Sequence, residues 1–173
     1  DPRCGVDTEP SAVTIRELRP EDWPAVRAIY EEGIRGGDAT VETETPSWKP
    51  WDAAHPELRL VAERDGAVVG WAALSPASAR RCYRGVGEVS VYVAGTARGS
   101  GLGRALLAEL VERSEQAGYW TLTAGVFPEN EASVRLHKSC GFREVGVREG
   151  IGEAGGVWRD VIWLERRSTL VGT

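Results

Sequence analysis

Several residue types and patterns are scarce in this chain of 173 residues, and their scarcity argues against disulfide-rich, metal-binding and membrane-spanning proteins. The three cysteines, Cys4, Cys82 and Cys140, are scattered and odd in number, which fits reduced thiols better than a disulfide framework or a metal site. No apolar stretch approaches membrane-spanning length and no signal peptide is recognisable, so we predict no membrane partner and expect a cytoplasmic protein. Methionine is absent altogether, so we expect at least an initiator Met ahead of Asp1.

Positive charge is scarce as well. The 21 Lys and Arg residues are outnumbered by 26 Asp and Glu, which gives a net charge of -5 and a pI near 5.2. Since there is no basic face and no run of Lys or Arg, nucleic acid is not predicted as a partner. The remaining composition is that of an ordinary globular protein, with 42% hydrophobic residues. A chain of this length forms one domain, which we place at 14–166 between tails at 1–13 and 167–173.

Strand-like and helix-like segments alternate along the chain. Alternating apolar and β-branched residues predict strands over 14–18, 58–64, 67–74, 88–93, 121–126, 143–148 and 157–165. The dipeptide Asp65-Gly66 predicts a hairpin turn. Apolar residues at helical spacing predict three helices, over 24–36, 101–117 and 131–140. A loop and a further, short helix are predicted over 38–54. This alternation, with hairpins at both ends, predicts a mixed α/β sheet.

A glycine-rich turn joins the strand that ends at Val93 to the next helix. The absence of side chains at Gly99, Gly101 and Gly103 lets the chain bend sharply and lets a ligand approach the backbone. The first amides of a helix lack internal partners and carry the positive end of its dipole, which suits a phosphate. No Gly-Lys-Ser/Thr tripeptide follows, which excludes a Walker loop. Arg104 stands where a dinucleotide fingerprint needs a small residue.

Two motifs in the right order resemble those of the GNAT-type N-acetyltransferases. The first is the segment Arg98-Gly-Ser-Gly-Leu-Gly103, and the second is Asn130 followed by a helix and a closing Gly-Phe pair. The resemblance covers roughly residues 14–165. It implies a single-domain GNAT fold with a mixed, mostly antiparallel sheet of about seven strands flanked by helices. It also implies acetyl-coenzyme A as co-substrate and no metal.

A narrower resemblance is to phosphinothricin and methionine sulfoximine acetyltransferases, a group that includes herbicide-resistance enzymes. It is carried by Ala39-Thr-Val-Glu42, by Glu88-Val-Ser-Val-Tyr92 and by Ser133-Val-Arg-Leu-His137. Val41 replaces an aromatic residue often found there, so the pocket lining is expected to differ. The resemblance implies a homodimer that acetylates the α-amine of a small amino-acid-like compound. An acetyltransferase for a protein N-terminus, a polyamine or an aminoglycoside, and a catalytically silent coenzyme A sensor, stay open as alternatives.

Candidate catalytic groups lie on one strand and one helix. An amine must lose a proton before it attacks a thioester, and groups with a pKa near the working pH help most. Glu88 and Tyr92 share a strand face, and His137 shares a helix face with Ser133. We therefore predict Glu88, His137 and Tyr92 as catalytic residues. A solvated strand glutamate and a helical histidine that serves only in packing remain the alternatives.

Candidate binding residues surround these groups. The exposed backbone at 91–93 is expected to pair with the pantetheine amides as an added strand would. By the resemblance, the cofactor-binding residues are Val91, Tyr92, Val93, Arg98, Gly99, Ser100, Gly101, Leu102, Gly103, Asn130 and Ser133. Asn130 could equally be a helix N-cap.

The loop ahead of Glu88 is predicted to contact the acceptor. Its guanidinium groups offer paired donors to a carboxylate or phosphinate, although a merely solvated loop is equally consistent with the sequence. The predicted substrate-binding residues are Ser75, Arg80, Tyr83 and Arg84.

Overall fold

The computed structural model describes residues 12–173. Along this part of the chain the strands are β1 (Val13–Glu17), β2 (Arg59–Arg64), β3 (Ala67–Pro76), β4 (Val86–Val93), β5 (Thr121–Val126), β6 (Arg143–Ala154) and β7 (Val157–Arg167). The helices are α1 (Trp23–Gly36), α2 (Trp48–Ala54), α3 (Leu102–Gln116) and α4 (Glu131–Ser139). The strands form one sheet in the order β1-β2-β3-β4-β5-β7-β6.

The predicted sheet is confirmed in its class and strand number. Among residues 12–173, seven strands pair, and each neighbouring pair is antiparallel except β4 with β5, which is parallel. The hairpin between β2 and β3 turns at Asp65 and Gly66, as predicted. None of the helices that the structure describes is long and apolar enough to cross a membrane.

Two apolar cores lie on opposite faces of the sheet because successive side chains of a strand point to opposite sides. Leu60 of β2 packs in the cluster that contains the buried leucines of α3, among them Leu106 and Leu110. Its neighbour Val61 packs in the other cluster, with residues of α1 and α2 such as Trp51. The sheet is therefore covered by α3 on one face and by α1 and α2 on the other.

The last hairpin differs from the prediction. The sequence indicated strands that end at 148 and resume at 157, but β6 continues to Ala154 and pairs with β7 up to a turn at residues 155–156. The glycines at 150 and 152 break the alternating pattern that predicts a strand. The sheet accommodates them through a register shift between Arg148 and Gly152.

The two predicted tails have different outcomes. Most of the tail at 1–13 lies outside the described residues, and Val13 already belongs to β1. After residue 166 the chain is packed rather than loose. Ser168 is buried, and its hydroxyl donates to Glu115 Oε1 at 2.9 Å. Arg167 donates to the carbonyl oxygen of Val171 at 2.8 Å, which folds the final residues back on the strand.

Strands β4 and β5 separate after a short paired stretch. Their parallel pairing covers only residues 86–88 of β4 against 121–123 of β5. Beyond Glu88, β4 remains paired with β3 on its other side as far as Val93. The two strands therefore leave a gap in the sheet, and this gap positions the site described next.

Candidate active site

Two adjoining cavities occupy the gap between β4 and β5. The first, the turn cavity, has a volume of about 560 Å³ and is lined by residues 91–93 of β4, by the glycine-rich turn and by the start of α4. The second, the Glu88 cavity, has a volume of about 390 Å³ and also contains His137. Both cavities are lined by Tyr92 and Ser133, so a ligand in one reaches groups of the other.

The glycine-rich turn presents a row of free backbone donors to the turn cavity. Gly99 and Gly101 have φ angles of 76° and 79°, a left-handed conformation that glycine adopts without strain. Among the described residues, no backbone or side-chain group accepts a hydrogen bond from the amides of 99–104. These amides lie at the N-terminus of α3, where the helix dipole favours an anion. The turn therefore fits a phosphate or pyrophosphate.

Most predicted residues of the turn line this cavity, but Ser100 does not. Its hydroxyl donates to the carbonyl oxygen of Ala97 at 2.5 Å, so the side chain braces the turn from within. Arg98 and Arg104 line the cavity and add positive charge beside the free amides. The predicted backbone of 91–93 lines it as well, on the edge of β4 that faces away from β3.

Asn130 caps α4. Its side-chain oxygen accepts a hydrogen bond from the backbone N–H of Ser133 at 3.2 Å, which confirms the N-cap interpretation. Its side-chain amide donates to the carbonyl oxygen of Asp38 at 3.1 Å, which links α4 to the loop after α1. Asn130 also lines the turn cavity, so its contact with a cofactor stays a prediction.

His137 is buried in the wall of the Glu88 cavity. Its ring nitrogen Nδ1 lies 2.7 Å from the carbonyl oxygen of Ser133, and since a carbonyl only accepts, Nδ1 carries the proton. This leaves Nε2 as the basic nitrogen of a neutral ring. Burial lowers the pKa of His137 below 6.5, an effect that the hydrogen bond to Ser133 partly offsets. The imidazole is therefore uncharged at neutral pH.

The side chain of Glu88 is exposed and lines the Glu88 cavity. Desolvation by the surrounding protein raises the pKa of its carboxyl above 4.5, and the guanidinium of Arg148 partly opposes this rise. Once ionised, this carboxylate can accept a proton. Glu88 and His137 thus line one cavity from different elements, β4 and α4.

Tyr92 lines both cavities, and its ring is packed against other aromatic rings. Its ring stacks on Trp71 at 4.7 Å and on Tyr30 at 5.0 Å between centroids. Burial raises the pKa of the Tyr92 phenol above its usual value of 10.0, with a further contribution from Tyr30. The phenol is therefore protonated at any working pH and is available as a hydrogen-bond donor.

The loop predicted to bind the acceptor lies away from both cavities. Arg80 stacks on the ring of Tyr83 at 5.4 Å, and Arg84 stacks on Trp120 at 5.3 Å. Ser75 pairs with Glu88 across β3 and β4, but it lines neither cavity. The structure does not bring Ser75, Arg80, Tyr83 or Arg84 to the Glu88 cavity, so their role in substrate binding stays a prediction.

Sequence reasoning missed the residues that the last hairpin contributes. Arg148 of β6 and Trp163 of β7 line the Glu88 cavity, and the Arg148 guanidinium lies 4.1 Å from the centroid of the Trp163 ring. Gly152 approaches the loop after α1 so closely that a Cβ there would lie 2.6 Å from Val41. Only the register of the sheet brings these residues to Glu88, and no local pattern in the sequence signals it.

Comparison with known proteins agrees with this geometry. The profile of the acetyltransferase (GNAT) family matches residues 14–142. A phosphinothricin N-acetyltransferase of Alcaligenes faecalis is 39% identical over 95% of this chain and 87% of its own. An L-methionine sulfoximine/L-methionine sulfone acetyltransferase of Pseudomonas paraeruginosa is 30% identical over 89% of this chain and 94% of its own.

A solved structure shares the fold. The phosphinothricin acetyltransferase of Sinorhizobium meliloti, crystallised in complex with acetyl-coenzyme A, superposes with a TM-score of 0.85 at 30% identity. The match covers 92% of this chain and 90% of that one.

Proposed function

Because the chain belongs to the acetyltransferase (GNAT) family, we propose that it moves an acetyl group from acetyl-coenzyme A to the α-amine of a small amino-acid-like compound. Phosphinothricin, methionine sulfoximine and methionine sulfone are the candidate acceptors, since relatives of this chain are named for them. One observation carries the proposal. A cavity with free amides suited to pyrophosphate opens at Tyr92 into a cavity that holds Glu88 and His137.

The turn cavity supplies the residues that would hold acetyl-coenzyme A. The amides of 99–104 would bind its pyrophosphate, with Arg98 and Arg104 beside them. The free edge of β4 at 91–93 would pair with the amides of the pantetheine arm. When bound, acetyl-coenzyme A supplies an activated acyl thioester.

The Glu88 cavity supplies the proton acceptors. An amine arrives protonated at neutral pH, and the ionised carboxylate of Glu88 accepts its proton directly or through water. The Nε2 nitrogen of His137 is a second acceptor, because the Ser133 carbonyl holds the proton on Nδ1. Tyr92, which stays protonated, can donate a hydrogen bond to the departing thiolate.

A thiol-release assay over a panel of amines tests the proposal. The panel contains phosphinothricin, methionine sulfoximine, methionine sulfone, spermidine, an aminoglycoside and a peptide with a free N-terminus. We expect the three amino-acid analogues to give the highest kcat/KM. A preference for spermidine, the aminoglycoside or the peptide would overturn the acceptor class and leave the acetyltransferase activity in place. Absence of turnover with every amine, despite acetyl-coenzyme A binding, would favour the silent sensor.

A homodimer and a cytoplasmic location are part of the same proposal. Strand β6 lies at the edge of the sheet, and the β6–β7 hairpin exposes apolar side chains, including Ile151, Val157 and Trp158. The family resemblance implies a homodimer, and we assign the second copy of the chain to this surface because of its exposed apolar side chains.

A further inference from the structure

The Glu88 cavity carries one charge of each sign. Within the part of the chain that the structure describes, the carboxylate of Glu88 and the guanidinium of Arg148 are the charged side chains that line it, since His137 is neutral. The other lining residues are apolar or carry hydroxyl groups. An α-amino acid also carries one charge of each sign, on its ammonium and carboxylate groups.

Arg148 has no acidic partner among residues 12–173, in contrast to its neighbours. On the same hairpin, Arg143 pairs with Glu165 at 3.0 Å, Arg159 with Asp38 at 3.1 Å and Arg166 with Glu115 at 2.8 Å. No carboxylate oxygen of the described residues comes within 4.0 Å of the Arg148 guanidinium. Its donors are therefore available to a ligand.

The guanidinium of Arg148 stacks on the ring of Trp163. The two groups lie 4.1 Å apart, within the range of a cation–π contact. Stacking of this kind uses the face of the guanidinium and leaves its N–H groups at the edge free for a carboxylate, which they bind in pairs.

The sheet places Arg148 on the same face as Glu88. Arg148 of β6 pairs with Val161 of β7, and Trp163, two residues further along β7, pairs with Gly125 of β5. Thr123, two residues before Gly125, pairs with Glu88 of β4. Directly paired residues point to the same side of a sheet. Arg148 is near enough to influence the titration of Glu88 but does not form an ion pair with it. Both residues line the same cavity of about 390 Å³, which a ligand can enter.

We propose that Arg148 binds the carboxylate of the acceptor while Glu88 faces its amine, so that the two charges select α-amino acids over simple amines. This assignment rests on the proposed function and deepens it. It also moves the carboxylate contact from the loop arginines of the sequence prediction to the last hairpin.

Steady-state kinetics on acid and amide pairs test the proposal. For phosphinothricin and its α-carboxamide, kcat/KM is measured in the wild type and in Arg148→Ala. A charge-assisted contact predicts a loss of about 10- to 100-fold for the acid in the variant, mainly in KM, with little change for the amide. For each protein, kcat/KM for the acid is divided by kcat/KM for the amide. Comparing this acid-to-amide ratio between the wild type and Arg148→Ala cancels the different reactivity of the two amines.

Matched variants control for indirect effects. Arg143→Ala removes an arginine of the same strand that lines neither cavity, and it should leave the acid-to-amide ratio unchanged. Arg84→Ala tests the loop of the sequence prediction in the same way. The KM for acetyl-coenzyme A should stay constant throughout. If Arg148→Ala does not fold, as judged by circular dichroism, Arg148→Gln, which keeps much of the side-chain volume, takes its place.

The outcomes separate the two levels of the proposal. If the wild type prefers the acid and Arg148→Ala or Arg148→Gln keeps that preference, Arg148 is not the carboxylate contact, while the amino-acid acetyltransferase stands. If the acid-to-amide ratio falls in Arg84→Ala instead, the carboxylate contact belongs to the loop at 80–84. A wild type that acetylates simple amines better than any amino acid overturns the substrate class and the role of Arg148 together.

Discussion

Individual residues of the site owe their protonation states to what surrounds them. His137 is neutral because it is buried, and the Ser133 carbonyl fixes the proton of the neutral ring on Nδ1, while Glu88 stays accessible in a cavity that also holds a guanidinium. The phenol of Tyr92 is kept protonated by the aromatic stack around it. The site thus presents the Nε2 nitrogen of His137 and the carboxyl of Glu88 as candidate proton acceptors, with the phenol of Tyr92 as a hydrogen-bond donor.

Glu88→Gln should lower kcat by roughly 10²-fold or more at neutral pH, because the amide keeps the shape of the side chain and loses the proton acceptor. In the wild type, activity should rise with pH as the Glu88 carboxyl ionises, and desolvation shifts this rise above the ordinary carboxyl range. The deficit of the variant should shrink at higher pH, where free amine is more abundant. Rate profiles over pH provide the measurement, and full activity with an unchanged profile would remove Glu88 from the mechanism.

Stability should fall as the pH drops below about 6.5, because burial lowers the pKa of His137 in the fold. Below the unfolded value the unfolded chain binds more protons than the native one, so acid favours unfolding. His55 has its pKa lowered by burial in the same direction and serves as the matched site. Melting temperatures at pH 5 and pH 7.5 should converge partly in His137→Gln and further when His55→Gln is added. An unchanged difference in both variants would contradict the assignment.

At the scale of secondary-structure elements, the N-termini of two helices line the turn cavity. The N-terminus of α3 supplies the free amides of the turn, and the N-terminus of α4 is capped by Asn130. The loop after α1 closes over both through contacts with the last hairpin.

Gly101→Val should weaken acetyl-coenzyme A binding, because a β-branched residue is strained at a φ of 79° and would move the free amides of the turn. Gly118→Val is the matched control. Gly118 has a φ of 90° just after α3, so the variant carries similar strain away from the turn cavity. Isothermal titration calorimetry on both folded variants should show weaker binding in the first alone. Equal affinities would refute the pyrophosphate assignment.

Arg159 clamps the loop after α1 to the end of β5. Its guanidinium donates to the Gly37 carbonyl at 2.9 Å and to Asp38 at 3.1 Å, and it lies 3.9 Å from the centroid of the Phe127 ring. Arg159→Ala should free this loop, which lines both cavities, and raise both KM values roughly fivefold, as a loss of about 1 kcal/mol predicts. Faster proteolysis of residues 38–47 would accompany the change. Arg143→Ala is the control, and KM values that match those of that variant would rule out the clamp.

At the scale of the whole molecule, the apolar surface of the last hairpin is the unexplained feature. Trp158 is 70% exposed near its tip, and further apolar residues of β6 and β7 lie around it. Exposed apolar surface of this kind marks an interaction site more often than a solvated face.

Trp158→Glu should convert a dimer into a monomer by placing a charge in the apolar contact. Light scattering should give about twice 18.8 kDa for the wild type and 18.8 kDa for the variant. Leu170→Glu, at an exposed apolar residue outside the hairpin, should leave the dimer intact. A monomeric wild type would show that the homodimer prediction is wrong.

Features that depend on neighbouring residues could be predicted from the sequence alone. The helices follow from apolar spacing of three and four residues, the turn at Asp65 from its own dipeptide, and the free amides of 99–104 from glycines at the start of a helix. Glu88 and His137 were identified because they lie within motifs. These signals are local, since each is complete within a single helix, strand or turn.

Only the tertiary structure decided which distant groups share the cavity. Arg148 reaches the face of Glu88 through the pairing of four strands, and a slip of one residue in any of them would turn a side chain to the other face. The arginines at 80–84 are near Glu88 in sequence but lie away from its cavity, because they stack on aromatic rings of their own surface. Register and packing are long-range properties, so nearness along the chain does not reveal which arginine lines the cavity, and the role of the loop arginines in substrate binding stays a prediction.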